Sequence, residues 1–388
     1  MMVKNAIVIG AGIGGLACAA ALARRGVAVT LLEQAAAITE VGAGLQVSPN
    51  GLAVLRALGV ADAVQRGGAV RARAVVLRAE QSGDTVARLD LTRLDADQRY
   101  LFVHRADLIA VLARAAAQAN VSVELGKRVR AVIPGDLPTV ELEDASTRRA
   151  ELIVAADGVQ SRGRAALNGA DDPAFTGQVA WRATVPALGD PAPEATVTMG
   201  AGRHIVSYPV KGGSAINMVA VQERKTWAAE GWHHADDPQN LRAAFSGVRG
   251  PAADLLARVG DVALWGLFRH PVAPVWHRDG VVLLGDAAHP TLPFLAQGAN
   301  MALEDAWVLA QQVTRQDVAR GLPAYQAARG PRVSRVIAAA DGNAWKYHLR
   351  PGPLRWAAHA ALRTGSRLAP GRMMAQFDWL YRHDVTAP

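Results

Sequence analysis

The sequence predicts an α/β protein with a mostly parallel sheet, an inserted and mainly antiparallel β-sheet, and a helical C-terminus. Three observations predict this class. Strand-like and helix-like segments alternate at the start of the chain, which is typical of a parallel sheet with helices on its faces. Between residue 177 and about residue 265 the pattern changes to short β-like runs. From residue 301 onward helical segments dominate.

The predicted elements follow one another in a regular order. A strand over 3–9, a glycine-rich turn, a helix over 14–25 and a strand over 27–32 form a βαβ unit. The pattern then predicts a helix over 105–118 and short strands over 121–125, 151–155 and 281–284. The second sheet is expected to contain strands over 179–185, 195–199, 204–210 and 215–221. Prolines at 351 and 353 are expected to end the helical run before two last helices.

These elements divide the chain into three parts. A Rossmann-like nucleotide-binding domain is assigned to 1–75, 100–176 and 266–345, and it is discontinuous because the second sheet interrupts it. The inserted substrate domain is assigned to 76–99 and 177–265. The remaining segment, 346–388, is expected to be helical and exposed, and it is a candidate surface for a homodimer, although a monomer is equally compatible with the sequence.

Composition sets limits on the function. Of the 388 residues, 51% are apolar, so the chain can bury large cores. Its net charge of +8 comes from scattered arginines that are not interleaved with aromatic residues, which favours anionic small molecules at least as well as nucleic acid. The single cysteine, Cys18, excludes an internal disulfide and a cysteine metal cluster, and it is interpreted as core packing.

The uncharged segment 6–23 is long enough to resemble a membrane span or a signal peptide. The four glycines near its middle instead indicate a turn between a strand and a helix. The sequence therefore predicts a cytoplasmic protein with no membrane attachment.

The turn after the first strand fits a dinucleotide fingerprint. Its glycines and neighbours are Gly10, Gly12, Ile13, Gly14 and Gly15, and Glu33 follows the second strand. In G-x-G-x-x-G the first glycine permits the tight turn, the second lets the backbone approach a pyrophosphate, and the third lets helix pack on strand. The acid accepts a ribose hydroxyl, so Glu33 disfavours a 2′-phosphate. These residues predict an adenine dinucleotide but do not distinguish NAD from FAD.

Two later segments carry further signals. LIVAADGVQSR (152–162) ends an apolar strand at Asp157, and GDAAHPTLPFLAQGAN (285–300) follows another strand with Asp286 and a turn that begins at Pro293. Together with GAGLQVSPNG (42–51), HRADL (104–108) and WLYRHD (379–384), they resemble the flavin-dependent aromatic hydroxylases of the para-hydroxybenzoate hydroxylase fold. The resemblance covers nearly the whole chain.

The resemblance implies a tightly but non-covalently bound FAD, with NADH or NADPH as a transient co-substrate. Asp286 is implied to hold the ribityl chain, and Gly298, Ala299 and Asn300 to present backbone N–H groups to the pyrimidine edge of the flavin. A helix N-terminus stabilises the negative charge that reduced flavin carries there. The resemblance further implies that Arg105 contacts the ribityl and phosphate region and that the backbone of Val129 meets the adenine.

The segment GRHIVSYP (202–209) is the candidate reaction site. A strand there places His204, Val206 and Tyr208 on one face. The alternative is a partly buried histidine bonded within the sheet, but the spacing resembles hydroxylases of salicylate, 3-hydroxybenzoate and 6-hydroxynicotinate, in which the histidine assists phenol deprotonation. Gln297 is predicted to contact substrate, with helix capping as the alternative.

Three more polar residues are interpreted as structural. His289, in the turn after Asp286, is expected to hold the fold together. Arg182 and Arg203 are candidates for a substrate carboxylate, but a surface salt bridge is the preferred interpretation of each.

The predicted function is hydroxylation of a phenolic aromatic acid of the salicylate or 3-hydroxybenzoate type, with O2 as the oxygen source through a flavin C4a-hydroperoxide. His204 would remove the phenol proton, and no metal is expected. Three alternatives stay open: a flavin oxidoreductase that inserts no oxygen, a hydroxylase of a hydroxypyridine carboxylate, and a non-catalytic nucleotide- or nucleic-acid-binding protein, for which net charge is the only support.

Overall fold

A computed structural model of the protein describes residues 2–38, 43–170, 172–226 and 234–387. It confirms the α/β class, with a mostly parallel sheet and a second, mainly antiparallel sheet. The strands are β1 (Asn5–Ile9), β2 (Ala28–Leu32), β3 (Gly44–Val47), β4 (Val70–Arg71), β5 (Ala74–Ala79), β6 (Thr85–Asp90), β7 (Leu101–His104), β8 (Ser122–Glu124), β9 (Val129–Ile133), β10 (Thr139–Leu142), β11 (Thr147–Arg149), β12 (Leu152–Ala155), β13 (Ala174–Pro186), β14 (Glu194–Gly200), β15 (Arg203–Val210), β16 (Ala215–Glu223), β17 (Ala235–Asp236), β18 (Val262–Arg269), β19 (His277–Arg278) and β20 (Val281–Leu283).

The helices lie between and after these strands. They are α1 (Ile13–Ala23), α2 (Pro49–Ala57), α3 (Ala61–Arg66), α4 (Arg105–Gln118), α5 (Arg162–Asn168), α6 (Pro238–Ala244), α7 (Pro251–Ala257), α8 (Gly298–Arg315), α9 (Val318–Tyr347), α10 (Pro353–Leu368), α11 (Pro370–Ala375) and α12 (Asp378–Tyr381). None of the helices within the described ranges is both long and apolar enough to cross a bilayer.

The first sheet has the order β19-β20-β12-β1-β2-β8, and all its pairings except β19 with β20 are parallel. Its central strands are almost wholly apolar, as expected for strands that are buried on both faces. In a parallel sheet the carboxyl ends of neighbouring strands lie at one edge, so the turns that follow β1, β12 and β20 meet there. These are the turns that carry Gly10, Asp157 and Asp286.

The second sheet has the order β17-β18-β13-β16-β15-β14-β5-β6 and is antiparallel except for the pair β14 and β5. One of its faces packs against α6 and α7, with Trp181, Ile205 and Met218 in a buried apolar cluster. Alternate residues along the same strands therefore project from the opposite face. That face lines the cavity described below.

Two small three-stranded sheets, β11-β10-β9 and β3-β7-β4, complete the β-structure of the described residues. The C-terminal part differs from the sequence prediction of two last helices, because three helices follow the prolines at 351 and 353. Pro370 explains the extra one: its fixed backbone angle and missing N–H suit the first turn of a new helix, and α11 begins at that residue.

Candidate active site

The glycine turn after β1 is shaped by steric exclusion. A Cβ atom on Gly10 would lie 2.6 Å from the Ala156 carbonyl oxygen, and Gly10 has a φ of +98°. A Cβ on Gly15 would lie 1.9 Å from the Gly10 carbonyl oxygen, whereas one on Gly12 would meet no atom within 4 Å. The first and last glycines are thus required by the fold, and the middle one leaves open space for a ligand to approach the backbone.

Two carboxylates lie beside this turn. Glu33 accepts hydrogen bonds from the N–H groups of Ala11 and Ala35, both at 2.8 Å. Asp157 accepts one from the Arg162 N–H at 2.7 Å, and burial raises the pKa of its carboxyl group. The Glu33 carboxylate therefore fixes the glycine turn itself, and both side chains line the larger of two cavities.

The turn that carries Asp286 rests on a buried ionic network. The Gly285 N–H donates to Asp305 Oδ2 at 3.2 Å, and His289 Nε2 lies 2.6 Å from the same oxygen. Arg329 Nε donates to Asp305 Oδ1 at 2.7 Å, and these side chains are almost completely buried. Burial alone would raise the pKa of Asp305, but the His289 and Arg329 charges hold it below its usual value. His289 thus has the structural role that the sequence indicates.

Asp286 itself lies within the cleft, with its side chain exposed to the open space of both cavities. Burial raises the pKa of its carboxyl group, while the His289 and Arg105 charges act in the opposite direction. Arg105, at the start of α4, also lines both cavities. A carboxyl group and a guanidinium cation are therefore placed where the two spaces join.

Helix α8 begins at the cavity wall. Gly298 and Ala299 line the cavity, and the first-turn N–H groups of a helix have no acceptors within the helix. The Asn300 side chain is buried, donating to the Gln46 and Ala296 carbonyl oxygens and accepting from the Ser48 N–H at 2.9–3.1 Å. The positive end of the helix dipole consequently faces the cavity.

Gln297 immediately precedes α8 and is only 2% exposed. Its Nε2 donates to Ser48 Oγ at 3.0 Å, and Asn50 Nδ2 donates to its Oε1 at 3.2 Å. Asn50 Nδ2 also donates to Glu304 Oε1 at 2.6 Å. The amide is thus held within a buried network that positions the start of α8. Contact between Gln297 and substrate stays a prediction.

The site consists of two connected cavities. The larger, about 890 Å³, extends past the glycine turn to Val129. The smaller, about 470 Å³, lies between the start of α8 and the second sheet. Gly12, Arg105, Asp286 and Pro293 line both, so the two spaces form one cleft.

This cleft fits FAD. The open face of Gly12 admits a pyrophosphate, Glu33 and Val129 lie at the far end, and the N-terminus of α8 faces the smaller cavity. Gly42, the first residue of the GAGLQVSPNG motif, lies outside the described residues. Gly44 in that motif donates its N–H to Asn217 Oδ1 at 2.7 Å and so connects the small sheet β3-β7-β4 to the second sheet at the cavity.

The second sheet forms the opposite wall of the smaller cavity. His204, Val206 and Tyr208 line it together, as the two-residue period predicts. Strand pairing aligns His204 with Val221 and Val206 with Val219 on the neighbouring strand. The wall is otherwise mainly apolar. Its further side chains include Val75, Leu77, Leu89, Ala195, Val197, Met199, Leu362, Met373 and Met374.

His204 is 3% exposed. Burial lowers the pKa of His204 to about 3, with a smaller contribution from His348, so the imidazole is neutral at physiological pH. Its Nδ1 lies 2.7 Å from His348 Nε2, and its ring packs against Phe294 and Tyr347. Burial also raises the pKa of Tyr208, so its phenol stays protonated.

The two arginines considered for a carboxylate lie in different places. Arg203 pairs with the buried Glu80 and donates to the Ser246 carbonyl oxygen at 3.0 Å, so it forms a salt bridge as predicted, but a largely buried one and not one on the surface. Arg182 instead lies in the cavity wall, with its guanidinium 5.2 Å from the centre of the Trp265 ring. Their positions differ because Arg182 shares the face of Val219, its cross-strand partner, whereas Arg203 precedes His204 and faces the other way.

Sequence reasoning missed His348 and Glu223. His348 Nδ1 lies 2.9 Å from Glu223 Oε1, so the three side chains form a hydrogen-bonded row that ends in His204. His348 follows α9 and Glu223 ends β16, and no local pattern marks either position. Only a three-dimensional structure brings them to His204, from which His348 is separated by 144 residues.

Comparison with known proteins gives a consistent result. A family model described as FAD binding domain matches residues 4–340. The chain is 33% identical to 3-amino-4-hydroxybenzoate 2-monooxygenase of Streptomyces platensis, over 96% of this chain and 94% of that protein. It is 36% identical to 6-hydroxynicotinate 3-monooxygenase of Bordetella bronchiseptica, over 87% and 91%. The crystal structure of Klebsiella pneumoniae HpxO complexed with FAD and uric acid matches 95% of each chain with a TM-score of 0.83 and 29% identity.

Proposed function

The chain belongs to the FAD-binding-domain family and is an FAD-dependent aromatic monooxygenase, and from this premise we propose that it hydroxylates a phenolic aromatic acid of the salicylate or 3-hydroxybenzoate type. The observation that carries the proposal is the position of His204. A neutral, buried imidazole lies on the substrate wall of a cavity whose other wall is the N-terminus of α8.

The residues would hold FAD as follows. The glycine turn and Glu33 bind the adenosine and pyrophosphate part, Asp286 and Arg105 the ribityl part, and the first turn of α8 the pyrimidine edge. When bound and reduced by NADH or NADPH, FAD supplies the activation of O2. The remaining steps belong to side chains of the second sheet.

His204 acts as the base. Its Nε2 accepts the proton of the substrate hydroxyl group, which leaves an electron-rich phenolate that is more easily attacked by an electrophilic oxygen. Tyr208, kept protonated by burial, donates a hydrogen bond to the substrate oxygen. The apolar wall formed by residues such as Val206 and Val219 excludes water from the reacting ring.

The carboxylate of the acid is assigned to Arg182. It is a cation in a wall that is otherwise mainly apolar, and Arg–carboxylate contacts are strong and directional. Stacking over Trp265 limits the freedom of its guanidinium, so less entropy is lost when the acid binds. The substrate is therefore held by its carboxylate and its hydroxyl at once.

A second candidate is a hydroxypyridine carboxylate. It is favoured by the 36% identity to 6-hydroxynicotinate 3-monooxygenase. Such a ring carries the same two groups for recognition, an ionisable hydroxyl group and a carboxylate. The assignments of His204 and Arg182 apply to either substrate, and product analysis distinguishes the two.

The test combines a substrate screen with one substitution. Purified holoenzyme is mixed with NADH or NADPH and with salicylate, 3-hydroxybenzoate, 3-amino-4-hydroxybenzoate or 6-hydroxynicotinate, and nicotinamide oxidation and product mass are recorded. One acid should stimulate oxidation and gain one oxygen atom. His204→Gln should then lower the turnover number by roughly 10²- to 10⁴-fold, the range for a general base.

The matched control is His359→Gln, a histidine on α10 outside both cavities. It should hydroxylate at the wild-type rate. Stimulated oxidation without any oxygenated product, together with full turnover by His204→Gln, would overturn the proposal in favour of a non-inserting oxidoreductase.

A further inference from the structure

His204 is not an isolated base. Its Nδ1 lies 2.7 Å from His348 Nε2, and His348 Nδ1 lies 2.9 Å from Glu223 Oε1. The His348 side chain is 2% exposed, whereas that of Glu223 is 47% exposed. The row therefore begins at the cavity wall, passes through a buried imidazole and ends in water.

The acceptor at the solvent end determines the tautomers. A carboxylate can only accept, so the hydrogen on His348 lies on Nδ1 and its Nε2 is a bare acceptor. His204 must then carry its hydrogen on Nδ1 to donate to that atom, which leaves its own Nε2 bare. No hydrogen bond within the described ranges engages His204 Nε2, and the ring lines the cavity. His204 Nε2 is therefore the nitrogen available to accept a proton from the substrate.

The backbone holds this row in place. The Gly202 N–H donates to the His348 carbonyl oxygen at 3.2 Å, and the Glu223 N–H donates to the Gly202 carbonyl oxygen at 2.8 Å. One residue in the turn between β14 and β15 thus ties the segment after α9 to the end of β16. Arg203, which precedes His204, pairs with Glu80 and not with Glu223.

We propose that His348 and Glu223 are positioning residues that form a proton path from His204 to solvent. This inference rests on the proposed function, because it takes His204 as the base. The substrate O–H bond breaks and an N–H bond forms at His204 Nε2. The Nδ1 hydrogen of His204 moves to His348 Nε2, and the Nδ1 hydrogen of His348 moves to the Glu223 carboxylate. Glu223 then releases the proton to water, so no net charge remains on either buried imidazole.

The charges around the row favour passing the substrate proton on from His204 over keeping it there. Burial lowers the pKa of both His204 and His348, and the Glu223 hydrogen bond and charge partly offset this effect at His348. The Tyr347 ring packs against that of His204, and burial raises the pKa of its phenol, so it stays neutral. A proton taken up at His204 is thus more stable closer to Glu223.

The first test needs no substrate. Holoenzyme labelled with ¹⁵N-histidine is studied by NMR for the tautomers of His204 and His348 and for exchange of their N–H hydrogens with water. Wild type should show hydrogen on both Nδ1 atoms and fast exchange. Glu223→Gln keeps an acceptor for His348 but cannot take its proton, so the tautomers should persist while exchange slows by roughly 100-fold, the low end of the range for proton-transfer groups.

The second test follows the reaction. Proton release into a dye-containing, weakly buffered solution is measured by stopped flow after mixing with the acid identified in the screen. His348→Gln and Glu223→Gln should slow release, and imidazole in solution should partly restore it in His348→Ala. Glu194→Gln, which removes a carboxylate of the same sheet paired with Arg88, is the control and should match wild type.

The outcomes separate the two proposals. Suppose that His204→Gln abolishes hydroxylation while Glu223→Gln and His348→Gln match wild type in N–H exchange, proton release and turnover. The proton path is then wrong, and the assignment of His204 as the base stands. If the NMR tautomers place the hydrogen of His204 on Nε2, the path is also wrong. If the path variants slow exchange but His204→Gln hydroxylates normally, the row exists and its assignment to catalysis fails.

Discussion

The two halves of the cleft differ in which parts of the chain shape them. The nucleotide half depends on backbone at two places, the glycine turn after β1 and the first turn of α8, and is supported by the buried Asp305–Arg329 network. The substrate half is lined by side chains that alternate along strands of one sheet. The first half is consequently sensitive to the shape of the chain, and the second to the chemistry of single side chains.

The sharpest test of this contrast is a pair of glycine substitutions. In Gly15→Ala the new methyl group meets the Gly10 carbonyl oxygen, so we expect a loss of stability of about 3 kcal/mol or more and little holoenzyme. Gly12→Ala meets no protein atom, so the apoprotein should unfold at the wild-type temperature while FAD affinity falls at least about tenfold, or 1.4 kcal/mol. Thermal unfolding of apoprotein and flavin-fluorescence titration measure the two effects. Equal losses of stability in both variants would break the comparison.

A smaller effect is expected from a pair of arginine substitutions in the second sheet. Arg182→Gln removes a cavity cation, and the lost charged hydrogen bonds, worth about 1.5–3 kcal/mol, should raise the KM of the acid about 10- to 100-fold with the fold intact. Arg203→Gln leaves Glu80 without its partner and should lower the unfolding temperature without changing KM. Steady-state kinetics measures KM and calorimetry measures the unfolding temperature. A raised KM in Arg203→Gln with an unchanged KM in Arg182→Gln would contradict the assignment.

The smallest effect concerns stability in acid. The pKa of His204 is about 3 in the folded protein and about 6.5 when unfolded, so its contribution is fully present above pH 6.5 and is lost as the pH falls toward 3. At pH 5.5 the loss is about 1.4 kcal/mol, since one pKa unit corresponds to about 1.36 kcal/mol. Urea unfolding at pH 7.5 and 5.5 should show a smaller decrease in His204→Gln than in wild type. Identical decreases would show that His204 is protonated or exposed in the folded protein.

The contrast also explains how much the sequence could predict. The glycine turn, Glu33 and the Asp286 turn were located because steric demands on backbone leave a fixed spacing of small residues. The common face of His204 and Tyr208 followed from the two-residue period of a strand. Helix α4 matches its predicted bounds because an apolar stripe and an acidic residue in the first turn, Asp107, define it locally.

Other features depend on which strands become neighbours. The cavity position of Arg182 follows from its pairing with Val219, and the row behind His204 from contacts across 125 and 144 residues. The engagement of Gln297 with Ser48 and Asn50 likewise joins segments about 250 positions apart. No local pattern encodes such contacts, so a sequence can identify the chemical groups without their arrangement.

The alternating wall of the second sheet also bears on how the enzyme could be redesigned. Val197, Val206 and Val219 each contribute one methyl-bearing surface to the ring-binding space, and their neighbours along the strands face elsewhere. Combinatorial libraries at these three valines would remodel the pocket for bulkier or differently substituted aromatics while the dinucleotide cradle stays untouched. The nucleotide-binding part of the cleft and the ring-binding pocket are thus separate, and directed evolution can alter the second without the first.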